Sequence, residues 1–148
     1  MDPTEAVQLF RLKERRLEAM RALMGAVNAS DVREVSVSDE VREALVTGVA
    51  DPHPQVRWWC LQLLDHLPDP AVLPAVARAL DDPVPRVRRQ ATHALGCQLC
   101  KPTWDRALPA GVVASLTELA VGDENEKVRR EAGQALASRS VESERLDA

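Results

Sequence analysis

The chain has 148 residues, a formal net charge of −4 and 45% apolar residues, but only one Phe, three Trp and no Tyr. That length suits one packed domain and leaves little room for two. The negative balance argues against tight non-specific binding to nucleic acid, which needs a basic field, and a core of Ala, Val and Leu with few rings suits close-packed helices better than a β-sandwich.

The first residues, Met1-Asp2-Pro3-Thr4-Glu5, lack a basic stretch followed by an apolar one, so no secretory leader is expected. Residues 4–27 read as one long amphipathic helix. Val7, Phe10, Leu17, Met20, Met24 and Val27 form its apolar side, and Lys13, Glu14, Arg15 and Arg16 lie outside. Residues 28–38 are a polar connector.

Three segments then superpose. Asp51-Pro-His-Pro-Gln-Val56-Arg57-Trp58-Trp59-Cys60 ends at Leu64; Asp82-Pro-Val-Pro-Arg-Val87-Arg88-Arg89-Gln90-Ala91 ends at Leu95; Asp123-Glu-Asn-Glu-Lys-Val128-Arg129-Arg130-Glu131-Ala132 ends at Leu136. Each has Asp, Val-Arg five residues on, a small residue and then Leu. The Asp residues are 31 and 41 residues apart (82 − 51 and 123 − 82), a spacing that signals a solenoid. Asp before Pro is a helix-start signal, with Asp as the cap, and Val, the small residue and Leu fall on one helical stripe. The segments before each Asp, Glu40–Val49, Ala71–Leu80 and Val112–Val121, carry their own helical spacing, so each unit is helix, turn, helix. The small residues Cys60, Ala91 and Ala132 mark where another helix comes close. No apolar run approaches the roughly 18–20 residues needed to span a bilayer. After residue 138 apolar periodicity ends, and 139–148 is expected to be a disordered tail.

The middle segment, Ala75 to Gly96, resembles a HEAT repeat, and more narrowly the short bacterial kind also found in phycobilin lyases. The likeness extends over roughly residues 38–138. It implies an all-α fold, an α-α superhelix (HEAT-like solenoid) of about three helix-turn-helix repeats with an N-terminal capping helix. The expected layout is a single domain over 1–138, with the capping helix at about 4–27 and repeats at about 38–66, 70–97 and 109–138. About ten residues, Gln98 to Leu108, are an insertion after the second repeat.

In such solenoids the second helices line one surface that commonly binds a partner. Counting from the repeat Val, outward positions give Trp58, Trp59 and Gln62, then Arg89, Gln90 and His93, then Arg130, Glu131 and Gln134. Two adjacent outward Trp beside Arg89 and Arg130 have the composition of a binding hot spot, although a single Trp, Trp59 before Trp58, also suits a place against the capping helix. The recurring Arg57, Arg88 and Arg129 read mainly as a structural ladder to Asp51, Asp82 and Asp123, because the guanidinium fork fits carboxylates. His93, Cys97 and Cys100 share a helical face, and with Asp105 would make a zinc set. Cys97-Gln-Leu-Cys100 alone would suit a redox pair. Both signals are weak beside the reading of ordinary thiols at a helix end, because a lone Cys-x-x-Cys lacks its second pair.

No nucleophile elbow, phosphate loop or metalloprotease motif is present, so the chain reads as no enzyme and needs no cofactor. The leading expectation is an adaptor that binds another protein, with self-association open and no membrane partner. Nucleic acid is disfavoured as a partner. Two alternatives remain: a DNA-binding or DNA-glycosylase-like HEAT protein, with Arg57, Arg86, Arg88, Arg89, Arg130 and the Trp pair on one face, and a bilin-lyase-like subunit or chaperone. An odd count of three cysteines, Cys60, Cys97 and Cys100, forms no disulfide framework and suggests the cytoplasm.

Overall fold

The computed structural model describes residues 1–24, 37–67, 69–96 and 108–147, with side chains through Ser138. All regular structure among them is helical, as the solenoid reading requires. The chain divides into two compact units, Met1–Leu67 and Pro68–Ala148.

In the first unit, α1 (Pro3–Gln8) starts with Pro in its first turn, where a missing N–H costs nothing. Short 3₁₀ turns follow at Leu9–Arg11 and Lys13–Arg15, then α2 (Arg16–Met24). The expected single helix over 4–27 is therefore broken. Leu12, at the break, is extended (φ −103°, ψ 114°), and residues 25–27 lie outside the described residues. The cause is tertiary. On an unbroken helix Phe10 and Arg16 would point roughly 120° apart, yet both reach one ring, that of Trp59. Burying Phe10 completely outweighs the loss of helical continuity.

α3 (Asp39–Gly48) is capped by Ser38, whose Oγ accepts from the Val41 N–H at 3.3 Å, and Asp39 and Glu40 sit in its first turn, where the helix dipole favours them. α4 (Pro54–Leu64) buries Val56, Cys60, Leu61, Leu63 and Leu64. Gly48 lets α1, α3 and α4 meet closely: a Cβ there would overlap Cys60 Sγ and lie 3.0 Å from Val7 Cγ1.

In the second unit, Asp69 Oδ1 accepts from the Ala71 N–H at 2.9 Å and opens a 3₁₀ turn, Pro70–Val72. It leads into α5 (Leu73–Arg78), a further 3₁₀ turn at Ala79–Asp81 and α6 (Pro85–Gly96). Gly111 (φ 88°) admits α7 (Val112–Gly122) from a left-handed backbone that favours glycine. α8 (Glu126–Asp147) is the longest helix described. A Cβ on Gly96 would lie 2.6 Å from Ala135 Cβ, so α6 and α8 approach closely where a Gly meets an Ala.

α8 remains helical to Asp147, where the sequence pattern predicts a disordered tail. Loss of an apolar stripe signals loss of burial, but Glu, Arg and Leu in 139–147 keep good intrinsic helix propensity.

Each repeat turn is built alike. Asp51 Oδ1 accepts from the His53 N–H at 2.8 Å, Asp82 Oδ1 from Val84 at 2.9 Å and Asp123 Oδ1 from Asn125 at 2.9 Å. The Asp therefore closes an Asx turn and is not itself the N-cap. The cap falls two residues later, on His53 in the first repeat, whose Nδ1 accepts from Gln55 N–H at 3.2 Å. In the third repeat Asn125 Oδ1 accepts from Lys127 and Val128.

Candidate functional site

Arg57 Nη1 donates to the Asp51 carbonyl oxygen at 3.0 Å, Arg88 Nη1 to that of Asp82 at 2.9 Å, and Arg129 Nη1 to that of Asp123 at 2.6 Å. Each Arg thus holds its own repeat's turn through a backbone carbonyl. In the second unit Arg88 Nε and Nη2 grip both oxygens of Asp123, the next repeat's Asp, at 2.9 and 3.0 Å. Burial alone would raise the Asp123 pKa. The Arg88 fork and the Asn125 N–H outweigh it and hold the carboxyl below the usual range. In the first unit Asp51 Oδ2 accepts from Gln8 Nε2 at 2.6 Å, so the N-terminal segment supplies Asp51 with the side-chain donor that Arg88 supplies to Asp123.

On the first unit, Trp59 stacks on Phe10 (ring centroids 5.6 Å apart, planes at 10°). The Arg16 guanidinium lies 5.5 Å from the Trp59 ring centre, and Arg16 Nη2 donates to Gln55 Oε1 at 3.1 Å. Trp58 packs edge-on against Trp59, 4.9 Å away at 87°. Trp58, Trp59 and Gln62 are all half-buried. Of the two places open to Trp59, outward or against the N-terminal segment, its ring takes the second, in the clamp with Phe10 and Arg16. Its indole Nε1 is buried with no hydrogen-bond partner among the described residues, a sign that ring packing sets its position.

On the second unit, Arg89, His93, Arg130 and Gln134 are exposed, and Gln90 and Glu131 are half-buried. His93 Nδ1 lies 2.8 Å from Glu131 Oε1, and Arg89 Nε lies 3.9 Å from Glu131 Oε2. Arg130 pairs with Glu126 at 3.0 Å along α8. The structure thus brings Arg89, His93 and Glu131 together across α6 and α8.

Of the metal candidates, Cys97, Cys100 and Asp105 lie outside the described residues, as does Trp104 in the expected insertion. Among the described residues no three His, Cys, Asp or Glu side chains are grouped to hold a metal ion. Cys60 is fully buried. Burial, and then the Asp51 charge, push its thiol pKa up, which makes it unreactive as a nucleophile. No described helix is long and apolar enough to cross a membrane.

Sequence reasoning passed over Gln8, Gln55 and the role of Arg16, because the N-terminal segment is not a repeat and offers nothing to align. It passed over Gly133 too, although the alignment held that signal: the same register place carries Leu61, Thr92 and Gly133.

Residues 38–137 match the HEAT repeats family, and the chain belongs to it. Among solved structures the chain is similar to the crystal structure of an engineered protein, with a TM-score of 0.57 and 21% sequence identity over 93% of this chain. The chain covers 62% of that protein's length, and at this identity the likeness speaks for the fold alone. No curated protein matches the chain. HEAT repeats generally mediate protein–protein interaction and are typically non-enzymatic scaffolds.

Proposed function

We propose that this chain is a non-enzymatic adaptor of the cytoplasm that docks a partner protein on the outer surfaces of its second helices, α4 in the first unit and α6 with α8 in the second. The observation that carries this is the fixing of Trp58: a half-buried indole held edge-on by a Trp59 ring that is itself clamped between Phe10 and Arg16. A large ring that loses little freedom on binding makes a strong anchor. In the second unit Arg89, Gln90, His93 and Arg130 supply polar contacts, with Glu131 orienting the first and third. Trp59 supports this surface as a positioning residue, and Gln62 lies one helical turn beyond Trp58. The action is docking, with no chemical turnover.

The test is affinity capture from native lysate followed by direct titration of the retained protein, comparing the wild-type chain with a Trp58→Ala/Arg89→Ala/Arg130→Ala variant. Trp59 is kept so that the clamp survives, and helicity is checked. The proposal expects affinity to fall at least tenfold in the variant. Equal affinity of both forms removes the second-helix surface from consideration. Saturable DNA binding that falls steeply with salt favours the nucleic-acid alternative, and visible absorbance on mixing with a tetrapyrrole favours the bilin one.

A further inference from the structure

The third repeat leaves open what the earlier repeats close. Aligned by their Asp residues, the first helices carry Val41, Leu45 and Val49 in the first repeat and Val72, Val76 and Leu80 in the second, all buried. The third repeat has Val113, Thr117 and Val121 there, all exposed. The contrast is large at the last position: Leu80 is 2% exposed and Val121 80%. The second helices tell the same story. Leu61 and Thr92 are fully buried, whereas Gly133 is exposed, with nothing within 4 Å of where its Cβ would stand. α7 does bury Val112 and Leu116 on its other side, so only one face of this repeat lacks cover. A repeat that leaves two valines of one helix and a bare glycine of the other uncovered offers room for another helix to approach.

Arg129 says what that neighbour must carry. It holds its own turn as Arg88 does, through Nη1 to the Asp carbonyl. Arg88 uses Nε and Nη2 to grip the carboxylate of the next repeat's Asp, but no described carboxylate is hydrogen-bonded to those atoms of Arg129. We propose that the α7–α8 face of the third repeat is a stacking interface for a further helix-turn-helix unit from a partner, and that Arg129 receives the turn carboxylate of that unit as Arg88 receives Asp123. A second copy stacked head to tail is a poor occupant, because Gln8 already holds its Asp51 and α1 packs beside α3. Val113, Val121, Arg129 and Gly133 are none of the residues assigned to the docking surface proposed above, so the two readings are tested by different variants.

The probe is the full chain carrying, after Ala148, a Gly/Ser linker of about twenty residues, which spans roughly 25 Å, and then a second copy of residues 69–96 with its Asp82 turn. Carbene labelling mapped by mass spectrometry reads the exposure of α7. Docking predicts that labelling of Val113 and Val121 falls at least threefold in the linked chain. The fall should be lost with Arg129→Lys, which keeps a donor for the Asp123 carbonyl but not the fork. It should also be lost with Asp82→Asn in the appended copy. Gly133→Glu, where a side chain meets no neighbour, should abolish it with the host fold intact. Unchanged labelling on linking overturns the proposal, and so does protection that survives either Arg129→Lys or the appended Asp82→Asn.

Discussion

The first repeat and the third carry the same Asp and Val-Arg signature and meet opposite fates. In the first, an N-terminal segment that is no repeat closes the end: Gln8 takes the Asp51 carboxylate, Val7 packs on Gly48, and Phe10 and Arg16 clamp Trp59. In the third, Val113, Val121 and Gly133 stay uncovered, and no described carboxylate is hydrogen-bonded to the Arg129 fork. A solenoid repeat buries its stripe only if something stacks on each side. The signature sets the turn, and the neighbour decides whether a face becomes core or surface.

Removing the clamp should have the largest effect. Phe10→Ala deletes a fully buried ring from its stack on Trp59 and should cost about 3–5 kcal/mol by chemical denaturation. A loss under 1 kcal/mol would mean the first repeat is not closed by this segment. Next comes the buried pair between repeats. Arg88→Ala leaves Asp123 buried without its fork and should cost about 3 kcal/mol. The pH dependence follows from the lowered pKa of Asp123. Its stabilisation is complete above about pH 4, the ordinary carboxylate value, and is lost as pH falls through the lower folded value. Asp123→Asn should therefore be less stable at pH 7 and show a flatter acid limb than the wild type in denaturation series from pH 7 to 2.

The open face should respond weakly and in the other direction. Gly133→Ala adds a methyl where nothing lies within 4 Å and removes backbone freedom from the unfolded chain, so it should stabilise by about 0.5–1 kcal/mol. Gly96→Ala, the same substitution made at a packed place in α6, drives a Cβ to 2.6 Å from Ala135 Cβ and should destabilise. Smallest of all, Val121→Ser at an exposed site should change stability by less than about 0.5 kcal/mol, while the corresponding Leu80→Ser should be severe.

Much of this was legible in the sequence because repetition is a strong signal. The offsets from Asp to Val, to the small residue and to Leu located α4, α6 and α8 and correctly made Val56, Val87 and Val128 core. The N-terminal segment reads from sequence as one straight helix, because periodicity reports which residues are apolar and not that Phe10 and Arg16 must converge on a single ring. Asp51 reads from sequence as a cap but closes an Asx turn, since both roles demand the same residue at nearly the same place. The Trp pair was legible as unusual, yet only packing distinguishes Trp59, inside the clamp, from Trp58 at its edge. Exposure of Val121 was beyond sequence reasoning: its counterparts Val49 and Leu80 are equally apolar and lie buried.

The most direct test of the contrast between the two ends is carbene footprinting of the unmodified full chain, read residue by residue. Strong labelling is expected at Val113 and Val121, with Phe10, Val49 and Leu80 protected. Protection of Val113 and Val121 to the level of Leu80 would contradict it, for the third repeat would then be as closed as the first.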